Sequence, residues 1–193
     1  SDVPISSSTG HTGVTDFTEV VADGTLVNFV APVRFDDLVF ARWTGDFPDT
    51  DPSVTFTPIE DTTITADYQH PGDLQFSAST YTAEEAEGVV RIFVSRENGT
   101  YGSATVDFAT GDGSAEAGLD YVAQSGTLTW SDGDASEKVL EIPLVNDSLS
   151  EDAQAFTVTI SGGTGANLGD VSSTTVTVDG PNDSPIEFAS FPI

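Results

Sequence analysis

Cysteine and methionine are both absent from the 193 residues. No disulfide framework, thiolate metal site or thiol nucleophile is therefore available to this chain. Lysine occurs once, at Lys138, and the five basic residues face 32 acidic ones, for a net charge of −27. So few cationic side chains exclude duplex DNA, RNA and anionic lipid surfaces as natural partners and favour cations instead. No apolar run approaches the roughly 18 residues that a membrane span needs, so direct membrane insertion is not expected. The only histidines are His11 and His70. They sit in turn or tail sequence and give neither a triad base nor a clustered zinc site. With no glycine-rich loop opening a helix, phosphate cradling is not indicated either. Paired carboxylates occur by chance in so acidic a chain and do not by themselves argue for glycoside hydrolysis. The chain is read as non-enzymatic. The missing methionine, the lysine-poor acidity and the Ser/Thr-rich composition predict a mature, secreted or surface protein with an extracellular location.

What the chain does contain is period-two alternation rich in Val, Thr, Phe and Ile, with no sustained 3.6-residue apolar period. An all-β protein follows. Expected strands in the first part run over 14–22, 25–31, 38–43, 53–57 and 62–68, punctuated by Gly24, Pro32, Gly45, Pro48, Pro52 and Pro58. His70-Pro71-Gly72-Asp73 then breaks the pattern with turn chemistry. The expected organisation is an amino-terminal tail over 1–12, a small β module over 13–70, a sandwich over 71–183 and an apolar carboxy-terminal segment over 184–193. In the sandwich, strands are expected over 74–79, 89–95, 104–109, 126–130, 138–145, 155–161 and 174–179. Seven such strands suit a two-sheet, immunoglobulin-like antiparallel sandwich.

Acidic residues of the second part gather at turns: Glu84, Glu85 and Glu87; Asp112, Glu116 and Asp120; Asn146, Asp147, Glu151 and Asp152; Asp179, Asn182 and Asp183. Connections of a sandwich fall alternately at its two ends, so turns distant in sequence can meet at one end. Carboxylates that meet repel one another unless a cation joins them. Calcium suits such a place, because it takes six to eight oxygen ligands from flexible loops.

The segments 81–88 (YTAEEAEG), 110–121 (TGDGSAEAGLDY), 126–130 (GTLTW) and 142–156 (IPLVNDSLSEDAQAF) resemble a Calx-β domain in order and spacing, over about residues 72–182. The resemblance implies the sandwich already read from periodicity and calcium bound at one end of it. It implies ligands at Glu85, at Asp120 of the Gly-Leu-Asp-Tyr motif, and at Asp147 and Glu151 before Phe156. Asp179 and Asp183 stand where the family's closing acidic run would be. Asn146 and Gln154 replace acids of the strongest binders, so one or two calcium ions are expected rather than a larger cluster. Two other acidic stretches are read as holding no metal, the first as a surface hairpin and the second as a solvated loop. Asp132-Gly-Asp134-Ala-Ser136 starts like an EF-hand loop, but Glu137 and Pro143 occupy its glycine and closing-glutamate positions. Asp46, Asp49 and Asp51 share a Pro-rich turn.

Residues 13–69 are similar to the internalin-type B repeat, a small β-grasp-like module of bacterial surface proteins, through Trp43-Thr-Gly-Asp46 and Thr63-Ile-Thr-Ala66. Trp43 is read as core rather than as a sugar-stacking platform. The functional expectation is a calcium-binding structural or adhesive module of a prokaryotic surface protein, whose partners are other copies or other domains of such a protein. The alternative is a self-assembling subunit of an extracellular filament or layer, using the apolar segment with Ile186, Phe188, Phe191 and Ile193 for strand addition. Asn-x-Ser/Thr occurs at Asn98, Asn146 and Asn182. A glycan is expected at Asn98 alone, in the turn between two strands.

Overall fold

A computed structural model describes residues 4–7, 12–14, 24–58, 61–146 and 152–180. Contacts divide the chain into two compact units, Ser1–Pro71 and Gly72–Ile193.

In the first unit, β1 (Pro4–Ser7), β2 (Thr12–Val14), β3 (Val27–Val30), β4 (Arg34–Phe35), β5 (Leu38–Gly45), β6 (Ser53–Phe56) and β7 (Ile64–Gln69) form two small sheets, ordered β2-β1-β3-β6 and β4-β5-β7. The expected tail over 1–12 thus holds a strand, β1, paired with both β2 and β3. Four residues are too few for alternation to reveal, and it is the hydrogen bonds of its neighbours that make this stretch extended. The strand expected over 14–22 lies, beyond Val14, outside the described residues. Trp43, Ala31, Val54 and Phe56 form the core, with Phe29, Phe40, Phe47 and Tyr68 packed against it. Trp43 is buried, and its indole N–H donates to the Pro52 carbonyl at 3.3 Å.

The second unit contains β8 (Asp73–Phe76), β9 (Thr80–Glu84), β10 (Val89–Glu97), β11 (Ala104–Gly111), β12 (Ser125–Trp130), β13 (Lys138–Pro143), β14 (Gln154–Thr164), β15 (Asn167–Leu168) and β16 (Ser173–Asp179). These build two sheets, β13-β10-β8-β15 and β12-β11-β14-β16-β9. The inward residues of both, among them Leu74, Phe76, Ile92, Val94, Val106, Trp130, Ile142, Phe156, Val158 and Val176, close a single core. Burying side chains of this size contributes roughly 1.5 to 3 kcal/mol each, enough to offset chain entropy without a disulfide.

The sandwich expected from the alternation is present, with two refinements. The strand expected over 74–79 is β8, which pairs with β10, and it is followed by a strand that was not expected, β9, which pairs with β16 in the other sheet. Small residues, Ser77-Ala78-Ser79, carry the chain across, with the Ser77 N–H donating to Phe93 on one side and the Ser79 carbonyl accepting from Thr175 on the other. Two pairings are parallel, β9 with β16 and β8 with β15, because each joins an early strand to a late one running the same way. Among the described residues, all other pairings between strands of this unit are antiparallel.

Candidate metal centre

Strand polarity gathers four chain segments at one pole of the sandwich. β9 and β16 end there side by side, with Glu84 opposite Asp179. β11 ends beside the start of β14, and β13 ends beside the start of β10, with Pro143 opposite Val89. Acidic turns 30 to 90 residues apart in sequence therefore come together for the topological reason that the pattern of strands suggests.

Glu85 opens a 3-10 turn, Glu85–Glu87, directly after β9. Gly88 ends that turn at φ 70, a left-handed conformation that favours glycine. Its N–H donates to the Glu85 carbonyl at 2.9 Å and its carbonyl accepts from Leu144 at 3.0 Å, which pins the turn to the end of β13. The Glu85 side chain points inward and is only 5% exposed, while Glu84 and Glu87 remain in solvent.

Asp120 reaches the same pole on the connection between β11 and β12 and is 8% exposed. Its backbone N–H donates to the Glu116 carbonyl at 3.0 Å, and its Oδ2 accepts the Glu116 N–H at 2.6 Å. The Asp120 carbonyl accepts from Val145 at 2.9 Å. Gly118, at φ 88, lets the loop double back so that its N–H meets the Tyr121 carbonyl at 2.7 Å.

A contact that the sequence reading did not foresee, between Asp112 and Tyr121, holds this loop in place. Tyr121, 1% exposed, stacks on Phe156 with ring centroids 4.1 Å apart, and its hydroxyl donates to Asp112 Oδ1 at 2.6 Å. The same Oδ1 accepts the Ala117 N–H at 2.9 Å. Burial first, and the hydrogen bond to Asp112 second, push the Tyr121 phenol up to about 12. The Tyr121 hydroxyl and the Ala117 N–H together hold the Asp112 carboxyl below the usual aspartate range. On its other side the loop is tied to β14, as Ala115 N–H donates to the Ala155 carbonyl and Ala155 N–H to Ser114 Oγ, at 2.9 and 2.8 Å.

Of the six expected ligands, Glu85, Asp120 and Asp179 lie at this pole. Asp147, Glu151 and Asp183 lie outside the described residues, as does Asn182. The last described residues before or after them, Asn146, Asp152 and Gly180, follow β13, precede β14 and follow β16. Among the described residues alone, no group of three or more carboxylates stands close enough to hold a metal ion. The donors present are nonetheless of the right kind for calcium. They are oxygen only, and two of them are carboxylates taken out of water, an arrangement costing several kcal/mol per charge unless a counter-charge is supplied. Asp120 Oδ1 accepts no hydrogen bond among the described residues, which leaves it free to ligate.

The other acidic stretches behave as loops. Asp132 Oδ1 accepts from Gly102 at 2.7 Å, and Asp134 binds the Ser136 N–H and the Lys138 ammonium, at 2.8 and 3.0 Å. The bonds from Ser136, followed by Lys138, hold the Asp134 carboxyl down at about 2. Asp46, Asp49 and Asp51 each accept a backbone N–H, from Thr63, Asp51 and Ser53. Asn98 is exposed at φ 60, and its Nδ2, the atom a glycan would occupy, donates to Asp73 Oδ2 at 2.7 Å.

Arg96 is a second feature that the sequence reading passed over. It is 3% exposed at the opposite pole, and its guanidinium donates to the carbonyls of Gly102 and Tyr101 at 2.9 and 3.2 Å, with longer bonds to Ser131 and Asp134. Its signal was in the strand: Val90, Ile92 and Val94 face inward, and the same alternation puts Arg96 inside.

The profile described as Calx-beta domain matches residues 67–182. Residues of this chain are 34% identical over 117 positions to Adhesion G-protein coupled receptor V1 of Danio rerio, covering 58% of this chain and 2% of that protein. They are 38% identical over 85 positions to Sodium/calcium exchanger 2 of Homo sapiens, covering 43% of this chain and 9% of that one. The chain thus spans less than a tenth of these relatives. Among solved structures, the apo form of the Calx CBD1 domain is similar with a TM-score of 0.53 and 27% identity, over 55% of this chain and 95% of that one. The calcium binding domain CBD12 of CALX1.1 matches with the same score and identity, over 55% and 45%.

Proposed function

This chain belongs to the Calx-β domain family, and on that premise we propose that its second unit is a non-catalytic calcium-binding module that stiffens one pole of a structural or adhesive surface protein. One observation carries the reading: Glu85 and Asp120, on separate connections, bury their carboxylates at the same pole of a chain with net charge −27. The similarity to a domain described as calcium binding supports the choice of ion. Glu85, Asp120 and Asp179 would hold one or two calcium ions together with Asp147, Glu151 and Asp183. Bound calcium would neutralise converging charge and cross-link the connections after β9, β11, β13 and β16.

An extracellular, surface-attached setting is supported by the adhesion receptor among the relatives. The resemblance of residues 13–69 to an internalin-type B repeat, read from the sequence alone, would place such a surface protein in a prokaryote. The other partners in this reading are further copies or domains of the same surface protein. The filament alternative depends on residues 184–193, outside the described part, and no described residue favours it.

Calcium in hundredfold excess over its Kd stabilises a one-site protein by about 2.7 kcal/mol. Melting of the second unit is expected to rise in calcium and fall in chelator, and Glu85→Gln with Asp120→Asn is expected to abolish that difference. If calcium raises the melting of the variant as it raises that of the parent, the ion sits elsewhere.

A further inference from the structure

The polypeptide reaches the second unit at one pole and leaves it at the other. At the first pole Gly72 is tightly held. Its carbonyl accepts from Asn167 at 2.9 Å. A Cβ there would collide with the Gly99 carbonyl and stand 3.0 Å from the Arg96 side chain, so the backbone is pressed against both. Asp73, next in the chain, accepts from Asn98 Nδ2 at 2.7 Å and from Asn167 Nδ2 at 3.4 Å. At the second pole β16 ends at Asp179, beside the end of β9.

Between these points lies the parallel pair β9 and β16, joined in five register pairs from Thr80 with Thr175 to Glu84 with Asp179. Tension on the chain draws β9 by its start toward the first pole and β16 by its end toward the second. Two parallel strands pulled this way slide along each other, so their evenly spaced hydrogen bonds are loaded together rather than opened in turn. β8 is drawn along its own axis in the same sense, against its antiparallel partner β10. We infer that the sandwich is a load-bearing link: the opposite-pole positions of Gly72 and Asp179 and the parallel β9–β16 pair place tension across the chain in shear.

The metal centre proposed above lies at the second pole, where the pulled end of β16 at Asp179 stands beside the far end of β9, which Glu85 follows. An ion shared by the two would tie the sliding strands together, a consequence that rests on the calcium reading, whereas the shear geometry does not.

The chain has no cysteine, so thiols introduced at exposed sites become unique handles for single-molecule force spectroscopy on the full chain. One pair, Gln69→Cys with a cysteine added after Ile193, loads β9 against β16 in shear. A second pair, Gln69→Cys with Ser173→Cys, pulls on their starts at the same pole and opens the strands in turn. The first is expected to need a higher unfolding force, by a factor approaching the five register pairs that share the load. Equal forces from the two handle pairs would overturn the load-bearing role. In the first geometry calcium is expected to raise the force and chelator to lower it. A force that exceeds that of the second geometry yet ignores calcium would leave the load-bearing role standing and remove the ion from the pair.

Discussion

Thr174 offers a test of the packing between the two sheets. It alternates inward on β16 with Val176 and Val178, is 1% exposed, and its Oγ1 meets no hydrogen-bond partner among the described residues. A buried hydroxyl without a partner costs about 1 to 3 kcal/mol of desolvation. Thr174→Val puts a methyl group in the same volume, keeps a β-branched residue in the strand and removes that cost. The expected gain is therefore about 1 to 3 kcal/mol, or about 4 °C or more in the melting temperature of this unit for each kcal/mol. Calorimetry of the full chain can follow the unit if the two melt separately, and urea unfolding is expected to show a higher midpoint at an unchanged slope. A variant that unfolds at the parent's midpoint or below would refute the reasoning, and would mean that the hydroxyl is satisfied, for example by a buried water.

Two further substitutions probe the ends of the sandwich. Tyr121→Phe keeps the stack on Phe156 and removes one donor to Asp112, so the variant is expected to melt lower at neutral pH and to show a smaller calcium-induced rise. The Asp112 carboxyl is depressed in the folded state, so its contribution is present above the ordinary aspartate range and lost as pH falls through the folded value. The acid limb of the stability profile is then expected to be shallower in Tyr121→Phe, and parallel limbs in a pH series of urea titrations would refute this. Arg96→Met, of similar length, leaves the carbonyls of Tyr101 and Gly102 without their donor. It is expected to lower stability by about 2 to 4 kcal/mol in denaturant unfolding, and a loss under 1 kcal/mol would show that water replaces the guanidinium.

Much of the sandwich was legible because its strands are half-buried and alternate cleanly, as Phe156, Val158 and Ile160 do on β14. β9 was not, since Leu74 and Phe76 alternate in one phase and Tyr81 and Ala83 in the other, and two inward residues on a five-residue strand make too short a pattern to read once the hydrogen-bond partners change. β15 is only two residues long and exists because β8 lies next to it. At the metal centre the family motifs pointed to Glu85 and Asp120, but the clasp between Asp112 and Tyr121 was hidden within one of those motifs. Nine positions separate its partners, and only the doubled-back loop at Gly118 brings them together. Arg96 was passed over because a charged residue is usually assigned to solvent. The carbonyls of two connections that cross between the sheets, β10 to β11 and β12 to β13, converge on it only after the strands have assembled.

The core of the sandwich is made of aliphatic and aromatic carbon without a single sulfur atom. Peroxide and hypohalous oxidants act on folded proteins first through thiols and thioethers, turning packed side chains into polar sulfoxides and sulfonates. This module has no such weak point, and no bond whose state depends on the local thiol poise. Its fold is accordingly expected to be indifferent to the surrounding thiol–disulfide poise and to oxidants that act through sulfur.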